Sequence, residues 1–178
     1  MTVIYLARHG ETDYNRERRF QGQGDVGLND RGREQARALA ATAQAYELAA
    51  LYCSPLPRAR ETAEIVGDAI GLTPVADPRF METDTGAWTD RLFADVEREH
   101  PEAYAAYHAT DPEFAFPGGE SLRAQTARVL AGLDDVRNGP LPALVIAHRG
   151  VIRCVKSLEP GLHTFMSWDI PNGALEAV

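Results

Sequence analysis

The chain has little cysteine and a single lysine. Its 178 residues contain two cysteines, Cys53 and Cys154, which lie in apolar stretches and do not form a Cys-x-x-Cys pair. Their spacing argues against a thiol site for zinc or redox exchange, so we expect two buried, reduced thiols. Lys156 is the only lysine, and every other strongly basic side chain is an arginine, whose planar guanidinium suits phosphate oxygens.

The chain also lacks a long apolar run and an excess of positive charge. The apolar stretch of residues 3–7 is too short for a signal-peptide core or a membrane span. The formal net charge of −8 argues against binding to nucleic acid or to an anionic membrane. We therefore expect a cytoplasmic protein, monomer or homodimer, with no nucleic-acid or membrane partner.

The pattern of apolar residues and turn signals predicts one α/β domain over residues 1–178. Strands are predicted near residues 3–6, 51–53, 73–75, 144–147 and 174–178, and helices near 29–46, 57–70 and 120–136 and from 151 onward. Residues 91–109 are predicted to be helical with an interruption at Pro101, within a short lid or insert at about 90–118. Strands that alternate with helices predict a three-layer α/β/α sandwich with a mostly parallel sheet.

Basic and histidine side chains follow three of the predicted strands. Arg8 and His9 end the first strand, His148 follows the strand at 144–147, and Arg58 opens the helix after the second strand. In a parallel sheet the carboxyl ends of the strands meet at one edge, so we expect these side chains to lie together. Arg60, two residues after Arg58, is expected on another face of the helix, in a surface ion pair.

Such a cluster is suited to phosphoryl transfer, which needs a nucleophile and positive charge around the phosphoryl oxygens. A neutral imidazole at His9 is a competent nucleophile near neutral pH. Two arginines and a protonated His148 would hold a phosphate dianion, each unit charge pair at 4 Å contributing about 4 kcal/mol at an effective dielectric of 20. Glu82 and Asp84, in an irregular segment, are alternative proton donors for the leaving group.

The sequence that contains these residues resembles the histidine phosphatase superfamily, also called phosphoglycerate mutase-like. The resemblance rests on ordered blocks that cover essentially the whole chain: LARHGETDYN, RFQGQGDVGLNDRGREQA, CSPLPRARETAEI, DPRFMETDTGAW, FPGGES, VIAHRGVIR and IPNGA. It implies a three-layer α/β/α fold, a phosphorylated histidine, and chemistry that needs neither metal nor cofactor.

The resemblance also implies roles for residues at matching positions. His9 would be the nucleophile, with Arg8, Arg58 and His148 completing the phosphate pocket, and Glu82 rather than Asp84 the proton donor. The resemblance places three further residues against the substrate: Asn15, Gln21 and Gly22. Trp88 is more simply a core anchor, and three histidines are expected to be surface or packing residues: His100, His108 and His163.

Two departures from the family pattern bear on the site. Arg149 stands where the family usually has the first glycine of His-Gly-Gly, and its side chain either points away or adds a cation to the phosphate pocket. The block around Glu82 keeps a glycine and Trp88 but lacks the usual flanking arginine and aromatic residue. The second departure leaves the exact role of Glu82 open.

The favoured function is hydrolysis of a phosphomonoester, with a small phosphorylated metabolite as the substrate and a phosphoprotein as an alternative. A phosphoglycerate mutase is the closest rival, but the family's mutases carry a longer, basic insertion that residues 91–118 lack. A phosphohistidine-protein phosphatase is a further alternative. A non-catalytic module that binds a phosphorylated ligand would be expected to lose the nucleophile or the arginines, and this chain keeps both.

Overall fold

A five-stranded sheet forms the centre of the protein. The computed structural model describes residues 3–109, 111–156 and 171–177. The strands run β3–β2–β4–β1–β5 across the sheet, all parallel except β5, which is antiparallel to β1. Their bounds are β1 (Ile4–Arg8), β2 (Ala50–Cys53), β3 (Val75–Ala76), β4 (Ala143–Ala147) and β5 (Leu175–Ala177).

Helices connect the strands and cover both faces of the sheet. Their bounds are α1 (Asp13–Glu17), α2 (Asp30–Ala43), α3 (Pro57–Ile70), α4 (Phe93–Glu99), α5 (Pro101–Ala109), α6 (Leu122–Arg137) and α7 (Arg149–Lys156). Short 3-10 turns are formed by Pro78–Phe80 and Gly86–Trp88. Among the described residues, no helix is long and apolar enough to cross a membrane.

The central strand β4 shows why the fold has three layers. All five of its residues are buried. Leu144 and Ile146 pack with α2 and α3 on one face, and Val145 packs with α6 and α7 on the other. Because successive side chains of a strand point to opposite faces, a strand that is apolar throughout needs a helical layer on each side. The predicted three-layer α/β/α sandwich is confirmed.

Several predicted boundaries move by a few residues. Helix α2 ends at Ala43 rather than at residue 46, and α6 begins at Leu122 rather than at residue 120. The later start of α6 has a local cause, because the Ser121 hydroxyl caps it by accepting from the backbone N–H of Ala124 at 3.1 Å. Helix α7 begins at Arg149, two residues before its predicted start.

The smaller elements differ more from the predictions. Strand β3 covers Val75–Ala76 rather than residues 73–75, and β5 ends at Ala177, with residue 178 outside the described part. Helix α1 was not expected, because five residues are too few to show a helical period. It is stabilised by a capping box between Thr12 and Asn15.

An aromatic cluster packs beside the sandwich, between α4, α5 and the start of α6. Its buried members include Phe20, Trp88 and Phe116. Trp88 is only 1% exposed, which confirms its prediction as a core anchor. The thiols of Cys53 and Cys154 are reduced and buried, as expected.

Candidate active site

The two site histidines lie side by side because their strands are neighbours. Strands β1 and β4 pair in parallel with Arg8 opposite Ala147, so each strand delivers a histidine at the next position. The backbone N–H of His9 donates to the carbonyl of Ala147 at 3.1 Å. The imidazole rings of His9 and His148 have their centroids 5.1 Å apart. The predicted convergence at the carboxyl ends of the strands is therefore found.

The hydrogen bonds of His9 determine which ring nitrogen can react. Its Nδ1 lies 2.6 Å from the carbonyl oxygen of Gly10. A carbonyl oxygen only accepts, so Nδ1 carries a proton and donates it, which leaves the lone pair of a neutral ring on Nε2. Burial, followed by the charges of Arg58 and Arg8, holds the pKa of His9 well below its ordinary value. The ring is therefore neutral near pH 7.

His148 is fully buried beside His9. Its Nε2 shares a hydrogen bond of 2.7 Å with the hydroxyl of Ser54, the first residue after β2. Its Nδ1 is buried and has no hydrogen-bond partner among the described residues. Burial first, then the charges of Arg58, His9 and Arg8, holds the pKa of His148 well below its ordinary value. Without a ligand, His148 is therefore neutral, whereas the protonated form expected from the sequence is the one that holds a phosphate dianion.

Arg58 lies in the first turn of α3 and its side chain is fully buried. Its Nη1 donates to the carbonyl of Gly24 at 3.0 Å, and its Nη2 donates to the carbonyl of Gly22 at 2.7 Å. Burial lowers the pKa of Arg58 to about 10, opposed by the charge of Glu82. By contrast, Arg60 is exposed and pairs with a glutamate of its own helix. The structure thus places Arg58, and not Arg60, beside the histidines.

The carboxylate of Glu82 is held by backbone and side-chain donors. Its Oε1 accepts from the backbone N–H of Thr83 at 2.9 Å and from Nε2 of Gln125 at 3.4 Å. Its Oε2 accepts from the backbone N–H of Gly150 at 3.2 Å. A Cβ at Gly150 would lie 2.2 Å from Oε1 of Glu82, so this close approach needs glycine.

Asp84, the alternative proton donor, has a different environment. Its Oδ1 accepts from the backbone N–H of Gly86 at 2.9 Å, an arrangement that stabilises the turn. Asp84 does not line the cavity described next, whereas Glu82 does. The geometry therefore favours Glu82.

A cavity of about 490 Å³ opens over this cluster. Its volume is within the range of small-molecule sites. Of the nine site residues predicted from the sequence, eight line it: Arg8, His9, Asn15, Gln21, Gly22, Arg58, Glu82 and Arg149. The ninth, His148, is fully buried against His9. The structure brings all nine together.

The wall formed by residues 12–22 is held by short polar contacts. The Thr12 hydroxyl donates to Oε1 of Gln21 at 2.9 Å, and the Thr12 backbone N–H donates to Oδ1 of Asn15 at 3.1 Å. Gly22 has a φ of +48°, and a Cβ there would lie 2.3 Å from the hydroxyl of Thr85. The glycine therefore permits the turn whose carbonyl accepts from Arg58.

Comparison with known proteins identifies the family. The sequence profile of the histidine phosphatase superfamily (branch 1) matches residues 4–178, nearly the whole chain. The chain belongs to the histidine phosphatase superfamily. This confirms the resemblance found in the sequence.

Named relatives of this superfamily member include mutases and phosphatases. The chain is 35% identical over 169 residues to "Probable phosphoglycerate mutase GpmB" of Enterobacter sp. (strain 638), covering 93% of this chain and 78% of that protein. It is 34% identical over 182 residues to "Phosphoserine phosphatase 1" of Hydrogenobacter thermophilus, covering 100% of this chain and 86% of that protein. A solved structure of mycobacterial glucosyl-3-phosphoglycerate phosphatase in complex with VO3 superposes with a TM-score of 0.88 at 29% identity, covering 98% and 91% of the two chains.

The structure adds residues to the superfamily site that the sequence did not single out. Nδ2 of Asn172 donates to the backbone carbonyl of His9 at 2.9 Å and to Oδ1 of Asn15 at 3.3 Å. Arg153 lines the cavity one helical turn after Arg149, and that four-residue spacing was a usable signal. Asn172 had no such signal beyond its place in the IPNGA block.

The remaining histidines have mixed outcomes. His100 is exposed and the ring of His108 packs against Tyr104 and Tyr107, as expected, but His108 also lines the cavity. His163 lies outside the described residues. Among the residues that the structure describes, no group of three or more histidine, cysteine or acidic side chains could hold a metal ion.

Proposed function

We propose that the protein is a phosphatase that hydrolyses a phosphomonoester of a small metabolite through a phosphohistidine at His9. The observation that carries the proposal is the hydrogen bond of Nδ1 to Gly10, which leaves Nε2 of a neutral ring as the nucleophile in a cavity. Phosphatase-named relatives support the same reaction class.

In the first step Nε2 of His9 attacks phosphorus while the bond from phosphorus to the ester oxygen breaks. Arg8 and Arg58 stabilise the charge on the phosphoryl oxygens. The unpartnered Nδ1 of His148 also stabilises these oxygens. An arriving phosphate dianion favours protonation of the ring, and Nδ1 then donates a hydrogen bond to a phosphoryl oxygen. Glu82 gives its proton to the leaving oxygen, and the product alcohol departs.

In the second step water attacks phosphorus and the phosphorus–nitrogen bond breaks. The Glu82 carboxylate accepts a proton from the attacking water, which restores the acid for the next cycle. Phosphate leaves and His9 returns to its neutral form. The proposed scheme needs no metal or cofactor, and it proceeds with the residues named above.

The test is phosphate release from a panel of phosphomonoesters in excess EDTA. We expect wild-type turnover to persist in EDTA and to fall by at least about 10⁴-fold in His9→Ala. His100→Ala is the matched control, since it removes an exposed imidazole. Quenching with alkaline detergent during turnover should also trap a phosphoryl group on the wild-type chain alone, and this group should be stable in alkali and lost in acid. Turnover that survives in folded His9→Ala would overturn the proposal.

A mutase is the second candidate, because one of the named relatives carries that name. Both reactions share the phosphohistidine and differ in the acceptor, which is water in one and a second hydroxyl of the substrate in the other. Incubation with isotopically labelled phosphoglycerates separates them. Free phosphate as the main product supports the phosphatase, and positional exchange without phosphate release supports the mutase.

A further inference from the structure

Helix α7 contributes two arginines to the cavity beyond those next to His9. Arg149 and Arg153 are four residues apart, so they lie on the same face of α7, and both line the cavity. Arg149 is the first residue of the helix, where a cation opposes the helix dipole. A residue that is unfavourable for its own helix, as a positive charge is at a helix N-terminus, is commonly retained for function.

The guanidinium of Arg149 is poised for a ligand. Its Nε is buried and has no hydrogen-bond partner among the described residues. A buried donor without an acceptor is costly, and a bound anion would satisfy it. Since a planar guanidinium can donate twice to one carboxylate or phosphate, such a ligand would be held in a defined orientation.

These arginines act on a different wall of the cavity from Arg8 and Arg58. Burial lowers the pKa of His108 on α5, the charge of Glu97 opposes this shift, and the charges of Arg153 and Arg149 add to the lowering. The pKa of His9 is instead lowered by Arg58 and Arg8. All four arginines line the cavity, with Arg8 and Arg58 influencing His9 and with Arg149 and Arg153 influencing His108 on α5.

We propose that Arg149, assisted by Arg153, forms a second anion subsite that binds a carboxylate or second phosphate of the substrate. This inference rests on the proposed function, because it assumes that the ester phosphate binds at His9. A cavity of about 490 Å³ has room for an organic group that joins the two anions. The substrate class is therefore a phosphomonoester with a second anionic group.

The test compares three esters of similar length. Propyl phosphate is the neutral reference, the second compound has a carboxylate in place of its terminal methyl group, and the third has a second phosphate there. We expect wild-type kcat/KM to be at least about tenfold higher for one of the anionic esters than for propyl phosphate. The anionic ester with the higher kcat/KM shows whether the subsite prefers a carboxylate or a phosphate.

The variants are Arg149→Gln, Arg149→Lys and the control Arg60→Gln. Arg149→Gln and Arg60→Gln change the net charge equally, so only a local effect separates them. We expect the preference for the anionic ester to fall about tenfold in Arg149→Gln, less in Arg149→Lys, and not in Arg60→Gln. The lysine variant also serves if the glutamine variant does not fold, because it keeps the charge and loses the planar fork.

Two outcomes would overturn the subsite: no preference in the wild type, or a preference that survives in folded Arg149 variants. A wild type that hydrolyses none of the esters would instead count against the proposed function. In that case calorimetric titration of the same esters into wild type and Arg149→Gln decides the subsite separately. Stronger binding of an anionic ester that depends on Arg149 supports it, and equal binding overturns it.

Discussion

The cavity has two regions that are built differently. Beside His9, ring and guanidinium nitrogens are fixed by directional hydrogen bonds, which join His9 with Gly10, His148 with Ser54 and Arg58 with two backbone carbonyls. Beside α5, the cavity is bounded by aromatic side chains whose rings pack against one another. Tyr107 and Phe116 have centroids 5.4 Å apart, and Trp88 and Phe116 have centroids 5.3 Å apart.

Under the proposed function, this difference separates the reaction step from substrate specificity. In-line phosphoryl transfer needs reacting groups placed within fractions of an ångström, which hydrogen bonds to strand ends provide. Ring packing is less directional and tolerates exchange of similar side chains. We therefore expect substitutions near His9 to reduce the rate for every substrate, and substitutions near α5 to change which substrate is preferred.

Among substitutions that keep His9, the largest effect is expected from Arg58→Lys. A lysine cannot reproduce the guanidinium that bonds two carbonyls and approaches the phosphate, so kcat/KM should fall by about 10² to 10³-fold. Arg60→Lys, two residues away on the exposed face, should be close to wild type. Steady-state kinetics with one alkyl phosphate tests this, and a folded Arg58→Lys variant within fivefold of wild type would contradict it.

A smaller effect, which depends on the leaving group, is expected from Glu82→Gln. Loss of the proton donor should lower kcat/KM by about 10²-fold for alkyl phosphates. The loss should be below about tenfold for p-nitrophenyl phosphate, whose phenolate leaves without protonation. Asp84→Asn is the comparison, and its loss should not depend on the leaving group. If Glu82→Gln loses kcat/KM equally with both substrates, Glu82 is not the proton donor.

The buried histidines should make the folded state sensitive to acid. Burial first, and the nearby arginines next, lower the pKa values of His9 and His148 below the ordinary 6.5. Below pH 6.5 the unfolded chain then binds more protons than the folded chain, so the stability is present above 6.5 and is lost as the pH falls. Each histidine should remove about 1.4 kcal/mol of unfolding free energy per pH unit in this window.

Urea unfolding of wild type, His9→Asn and His100→Asn at several values between pH 5 and pH 7.5 measures this. The slope of the unfolding free energy with pH should be smaller in His9→Asn by about 1.4 kcal/mol per pH unit, the contribution of one histidine. It should remain unchanged in His100→Asn, which alters an exposed ring. A slope that is equal in all three proteins would show that the buried ring of His9 does not resist protonation.

The smallest effect is expected from Tyr107→Phe, in the region beside α5. The substitution keeps the ring contacts with Phe20, Trp88 and Phe116 and removes only the hydroxyl. We expect the unfolding free energy to change by less than about 1 kcal/mol and kcat/KM for an alkyl phosphate to change by less than about threefold. A loss of kcat/KM above about tenfold would show that the Tyr107 hydroxyl takes part in the reaction.

The region beside His9 was predictable from the sequence because the order of strands and helices along the chain determines which side chains meet there. Apolar β-branched runs indicate the strands, and parallel strands must end at the same edge, so His9, His148 and Arg58 had to meet there. The order and length of the apolar runs also led to the three layers. The protonation of His148 could not be predicted, because it depends on burial and on the distance to Arg58.

The region beside α5 was not predictable in the same way. None of the residues of Pro101–Ala109 is fully buried, so no apolar stripe indicates which face of this helix meets the cavity. His108 therefore had no signal that would distinguish it from a surface histidine, yet it lines the cavity.

The local order of residues thus accounts for the placement of His9, the neighbouring arginines and the sheet that carries them, since backbone pairing converts that order directly into position. The far wall depends on packing between segments distant in the chain. Phe20, Trp88 and Phe116 join in one buried cluster, and α4 and α5 pack against it over the strand ends. Which arginines and rings face the substrate follows from that packing, because contacts between distant segments depend on the shapes of all the side chains at once.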